Sequence, residues 1–174
     1  GASPTDGTGV DTQVRPEIVQ RVRRAVHPVK AAYARQAAER RIEAALGFVI
    51  LYALGAADGP DVDRLKIGVA ASERALAEEV RKAQHYNSRL MVVRMRAHIV
   101  GKPVALRVKA DLEVLLEVQG RRLRGSWYRV EAGELWQRLG HVACQAGVEV
   151  FDETARQRRL LEAVAREMER AAKD

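Results

Sequence analysis

From Val104 to Val118 every even-numbered residue is apolar (Val104, Leu106, Val108, Ala110, Leu112, Val114, Leu116, Val118). The odd positions are mostly charged or polar, among them Arg107, Lys109, Asp111, Glu113, Glu117 and Gln119. A two-residue period sends alternate side chains to opposite faces of a strand. The spacing predicts a long strand over 104–118, one face on a core and the other in water. The same period recurs at Met91, Val93, Met95, Ala97 and Ile99, predicting a strand over 90–100. Gly101, Lys102 and Pro103 between the two leave room only for a turn, hence an antiparallel hairpin. Gly120 to Arg124 and Ser126 to Val130 predict a third strand and a meander.

The flanks read as helical. Pro16 and Pro28 suit the first turn of a helix, predicting a short helix to Ala25 and a long one from Pro28 to Leu54. A third helix is expected from Asp61 or Val62 to Tyr86, stopped by Asn87 and Ser88. After the strands come a helix over Gly133 to Gln145, a short fourth strand over Val148 to Phe151, and a closing helix from Asp152 to Lys173. Asp152 caps this last helix, and Leu160, Leu161, Val164 and Met168 form its apolar stripe. The expected architecture is α+β: a helical N-terminal half packed on an antiparallel three- to four-stranded sheet, closed by C-terminal helices. Residues 1–14, rich in Gly, Thr, Pro and Asp, read as a flexible lead-in or cloning remnant. Residues 15–174 read as one domain, with 15–88 helical and 89–174 carrying the sheet and the C-terminal helices.

The most apolar stretch, Ala44 to Ala57, is shorter than the roughly 20 residues a membrane-spanning helix needs. As a helix it is apolar almost all round from Leu46 to Leu54, which calls for cover on every side and predicts a homo-oligomer, most simply a dimer. With no targeting signal in view the expected location is cytoplasmic. Cys144 is the only cysteine, so no intramolecular disulfide can form.

Thirty Lys and Arg stand against 23 Asp and Glu, a net charge of +7, which points to a polyanionic partner. The run Gly120, Arg121, Arg122, Leu123, Arg124, Gly125, Ser126, Trp127, Tyr128, Arg129 combines guanidinium groups with adjacent aromatics on a hairpin. That composition holds phosphates and stacks on bases. Arg94 and Arg96 on the neighbouring predicted strand join it. A solvated turn with Trp127 or Tyr128 in the core accounts for the same run without a ligand.

Asp111 with Glu117, Val118 and Gln119 resembles the metal-binding element of the PD-(D/E)xK nuclease superfamily, and Glu117 to Phe151 resembles the matching part of its Holliday-junction-resolving members. That resemblance implies carboxylates sharing a divalent metal and a lysine beside it. Gln119 stands in the lysine's place, and along a strand Asp111 and Glu117 would lie about 20 Å apart, too far to share an ion. No metal site, cofactor or catalytic group is therefore assigned. Val142 to Val148 resembles the start of a helix-turn-helix, but Glu153 falls where a buried aliphatic belongs, and Gly147 reads as a helix C-terminal cap. Asp58, Asp61 and Asp63 lack the spacing of a calcium loop. His27, His85, His98 and His141 lack metal-ligand spacing, and His141 with Cys144 makes at most a dyad, a small buried thiol being the plainer reading. The expectation is a non-catalytic nucleic-acid-binding protein acting through arginine–phosphate contacts at Arg94, Arg96, Arg121, Arg122, Arg124, Trp127, Tyr128 and Arg129. A homo-oligomeric assembly protein and a degenerate metal-dependent nuclease are the alternatives.

Overall fold

A computed structural model describes residues 15–174, so the lead-in expected over 1–14 lies outside the described residues. The fold is α+β, with an antiparallel five-stranded sheet and helices that close the chain at its C-terminus. The elements run α1 (Pro16–Leu46), β1 (Phe48–Ala56), β2 (Arg64–Ala70), α2 (Glu73–His85), β3 (Met91–Val100), α3 (Lys102–Val118), β4 (Arg122–Arg124), β5 (Trp127–Arg129), α4 (Ala132–Gln145) and α5 (Glu153–Lys173). The strand order is β3-β1-β2-β5-β4.

Three expectations change at the level of elements. The segment 104–118 is the helix α3, not a strand, and no hairpin joins it to β3. Its buried residues are Ala105, Val108, Leu112 and Leu116, a three-then-four spacing. Every second residue being apolar hides this stripe, because Val108, Leu112 and Leu116 satisfy both periods. Pro103 in the first turn and the Lys109 to Glu113 ion pair, four residues apart at 2.5 Å, favour the helix. The second change is at 44–54. Gly47 adopts the left-handed conformation (φ 66°) that ends a helix, and the β-branched and aromatic run behind it becomes β1. The third is at 61–86, where Leu65, Ile67 and Val69 alternate along β2 and Ser72 then starts α2, its side chain accepting from the Ala75 amide at 3.1 Å.

The part read as wholly helical, 15–88, thus supplies β1 and β2, two of the three inner strands. β1 is an inner strand, second from the β3 edge, paired with β3 on one side and β2 on the other, and is buried along nearly its whole length. An apolar run covered on both faces by its own chain needs no second subunit, so the reason given for a homo-oligomer disappears. α1 runs unbroken through Pro28, which forgoes one amide hydrogen bond while Lys30, Ala31, Ala32 and Ala34 carry the helix on. Of the fourth strand expected over 148–151, Phe151 alone pairs, in a bridge with His98.

α3 and α4 cover one face of the sheet, where Leu51, Ala53, Leu65, Ile67, Ala97, Ile99 and Tyr128 meet Val108, Leu112, Leu135 and Leu139. α2 covers part of the other face, Leu76 packing on Ile50, Tyr52, Leu54 and Met91. The C-terminal part of α1 packs on α5 through Ala38, Ile42, Leu160 and Val164, and the ion pairs Arg41–Glu167 and Glu43–Arg156 flank that seam. Among the described residues no helix is long and apolar enough to cross a membrane.

Candidate nucleic-acid interface

Because Leu65 and Ile67 turn into the core under α3 and α4, the residues between and before them, Arg64 and Lys66, turn to the opposite face. There they meet β5. Lys66 lies opposite Trp127 and Arg64 opposite Arg129 in the antiparallel register. α2 packs over β3, β1 and β2, and beside it, toward β5 and β4, the same face opens into a cleft of about 640 Å3. Its walls are the Arg124–Gly125–Ser126 turn and the loop from Asn87 to Arg89. Arg64, Lys66, Arg89 and Arg124 all line it, with Asp61 as the one carboxylate and the Trp127 ring between them.

None of these four cations makes an ion pair among the described residues, and Asp61 makes none either. The Arg64 guanidinium sits over the Trp127 ring, 5.7 Å from its centre, which holds the cation by the ring's negative face without neutralising it. The Arg89 loop is braced from α2. The Gln84 amide donates to the Asn87 and Arg89 carbonyls at 3.1 and 3.0 Å, and its Oε1 accepts the Met91 amide at 2.8 Å. Arg89 lies against Gly59, where any Cβ would overlap its guanidinium. The result is a concavity lined by four cations and one carboxylate, in which the Arg64 side chain and the Arg89 loop have supporting contacts.

Of the eight residues singled out from the sequence, the cleft gathers Arg124 and Trp127. Arg129 is exposed and follows on β5. Tyr128 is 1% exposed and points the other way, its hydroxyl donating to Glu113 at 2.7 Å. Burial first, and then that hydrogen bond, push the Tyr128 phenol well above its ordinary range. Arg121 makes a two-pronged pair with Glu134 at 3.1 and 2.8 Å, which holds the Glu134 carboxyl below its usual range. Arg122 pairs with Glu117 at 3.2 Å and Arg96 with Glu73 at 3.3 Å. Arg94 spends its guanidinium on the Ala56 and Val62 carbonyls, at 2.8 and 3.2 Å. Arg64, Lys66 and Arg89 were not among the eight. The i, i+2 spacing of Arg64 and Lys66 about Leu65 was their signal; nothing local marks Arg89.

The acidic residues that resembled a nuclease element all lie on or just past α3. Asp111 is exposed, Glu117 is held by Arg122, and Glu113 accepts from Tyr128 and Lys109. Among the described residues no three of His, Cys, Asp and Glu converge on a point where they would hold a metal ion. Asp58, Asp61 and Asp63 are exposed in the β1–β2 connection. Cys144 is exposed on α4 rather than buried. Gly147 follows the last turn of α4, where the Val148 amide reaches back to the Ala143 carbonyl at 2.8 Å, a helix-terminating arrangement.

His98 is the buried polar residue among the described ones, 2% exposed on β3. Its Nε2 lies 2.8 Å from Glu153 Oε2 but is not aligned for a hydrogen bond. The Phe48 ring lies edge-on to the imidazole, and the His98 backbone exchanges hydrogen bonds with the Phe151 backbone. Burial lowers its pKa, outweighing the Glu153 charge that favours the imidazolium. Comparison with protein-family models, with curated proteins and with solved structures gives no match for this chain.

Proposed function

We propose that this chain is a non-catalytic nucleic-acid-binding protein that holds its ligand through cation–phosphate contacts in the cleft between β2, the β4–β5 turn and the loop after α2. What supports the reading is the convergence of Arg64, Lys66, Arg89 and Arg124, none of them in an ion pair among the described residues and with Asp61 as the one carboxylate beside them, on one concavity that also presents Trp127. A folded protein normally disperses or pairs its surface cations; four left unmatched around one cleft are placed for a multiply charged anion. Guanidinium groups bind phosphate oxygens in pairs, and each phosphate neutralised releases condensed counterions from the polymer.

The test is the salt dependence of binding to a labelled oligonucleotide, followed by fluorescence anisotropy. Each of Lys66→Ala, Arg89→Ala and Arg124→Ala is expected to flatten the slope of log K against log salt by about 0.7 to 0.9, and the threefold variant by about 2.1 to 2.7. Arg158→Ala with Arg159→Ala and Arg166→Ala, three exposed changes on α5, leaves the slope unchanged. Failure of the wild-type chain to bind any nucleic acid at low salt overturns the proposal.

A further inference from the structure

The shape of the cleft bears on which nucleic acid it takes. In a duplex the base faces are stacked inside and a protein meets backbones and groove edges; in a single strand the faces are open to aromatic and guanidinium planes. Trp127 is half-buried, packed against the α2-side core, and both it and Arg64, whose guanidinium carbon is 5.7 Å from the ring centre, line the cleft. An indole and a guanidinium seated together in a recess can be reached by a base that leaves its stack but not by one inside a helix. The recess of about 640 Å3 is also of the size that encloses a small ligand rather than the side of a duplex. Lys66, Arg89 and Arg124 surround the pair, so a strand with one base on it brings its neighbouring phosphates to cations on both walls.

Building on the nucleic-acid reading above, we infer that the cleft binds single-stranded nucleic acid, one base stacking on the Arg64–Trp127 pair while the flanking phosphates meet Lys66, Arg89 and Arg124. Stacking of this kind is tolerant of base identity. The ligand class is accordingly a single strand, or a frayed or looped region, without a fixed sequence.

The experiment uses the full chain and two probes of equal length and label, an unstructured oligothymidylate of about 15 nucleotides and a blunt duplex, titrated at one salt concentration. Preferential binding of the oligothymidylate by tenfold or more, with quenching of tryptophan emission, is expected. Trp127→Ala is expected to weaken binding of the single strand by about 5- to 150-fold, to abolish the quenching, and to leave duplex binding within about twofold, the duplex contacts being to phosphates. Trp127→Phe, which keeps a ring, retains most of the single-strand affinity; this conservative variant separates lost stacking from lost folding, since a merely structural Trp127 would weaken both probes alike. Duplex binding equal to or tighter than single-strand binding, or parallel loss of both in Trp127→Ala, overturns this inference and leaves the nucleic-acid reading standing. No binding of either probe overturns both.

Discussion

Arg94 and Arg124 carry the same charge and are both candidate phosphate contacts from the sequence, yet the structure gives them opposite work, and one pair of substitutions separates the two. Arg94 Nη1 donates to the Ala56 carbonyl at 2.8 Å and to the Val62 carbonyl at 3.2 Å, tying β3 to the end of β1 and to the β1–β2 turn. Arg94→Met keeps the aliphatic stem and removes the donors. Hydrogen bonds from a charged group contribute about 1.5 to 3 kcal/mol, and water reaches part of this half-buried site, so a loss of about 1.5 to 2 kcal/mol is expected. For a chain of this size each kcal/mol moves the melting temperature by about 2 to 4 °C, giving a fall of about 3 to 8 °C. The salt slope of nucleic-acid binding stays at the wild-type value. Arg124→Met reverses the pattern: an exposed, unpaired side chain contributes within about 0.5 kcal/mol to stability, but its loss flattens the salt slope by about 0.7 to 0.9. Calorimetric or fluorescence melting and anisotropy titrations read the two quantities separately. An Arg94→Met protein that melts like wild type and loses slope as Arg124→Met does would refute the division of the arginines made here.

Two further outcomes follow from β2 and β3. Gly68 lies directly opposite Tyr52 in the β1–β2 register, and a Cβ there would overlap the Tyr52 hydroxyl and ring edge; because Tyr52 is packed in the core under α2, Gly68→Ala costs about 1 to 3 kcal/mol in urea unfolding, and a midpoint unchanged from wild type contradicts the packing described. His98 is held neutral by burial, its folded pKa below the unfolded value of about 6.5. The unfolded chain therefore takes up the proton first as pH falls, so the stability His98 contributes is complete above about pH 6.5 and is lost on acidification toward the folded pKa. The difference in urea midpoint between wild type and His98→Gln should narrow from pH 8 to pH 5.5; widening on acidification runs against this sign.

What the sequence made legible in the fold was whatever local pattern alone decides. The apolar odd positions of β3, the Gly125 turn between β4 and β5, and Asp152, which accepts the Ala155 amide at 2.7 Å at the start of α5, are all readable without the rest of the chain. β1 was not, for a physical reason: a strand buried on both faces loses the alternation that marks a half-exposed one and looks like a buried helix of the same length. Gly47 held the answer, since a left-handed residue there ends α1 before the apolar run begins. For α3 the alternation was real and the inference from it was wrong. A strand of the length predicted over 104–118 would be about two to three times the usual one, which itself favours a helix there.

The site was less legible than the fold, because what makes it a site is which charges are left over. Arg121 finds its carboxylate 13 residues away, and Arg94 finds carbonyls 38 and 32 residues away. No spacing rule reaches that far. The composition sets a net charge of +7 and so an attraction to polyanions, but composition is blind to pairing, and pairing removes Arg94, Arg96, Arg121 and Arg122 from the count of free cations while the strand β2 adds Arg64 and Lys66 to it. Reading 61–86 as a helix had put those two about 200° apart on a helical wheel; as a strand they share a face. The error in the element and the omission from the site are therefore one error. Correcting the period of that segment moves the predicted ligand contact from the hairpin alone to the cleft between the hairpin and β2.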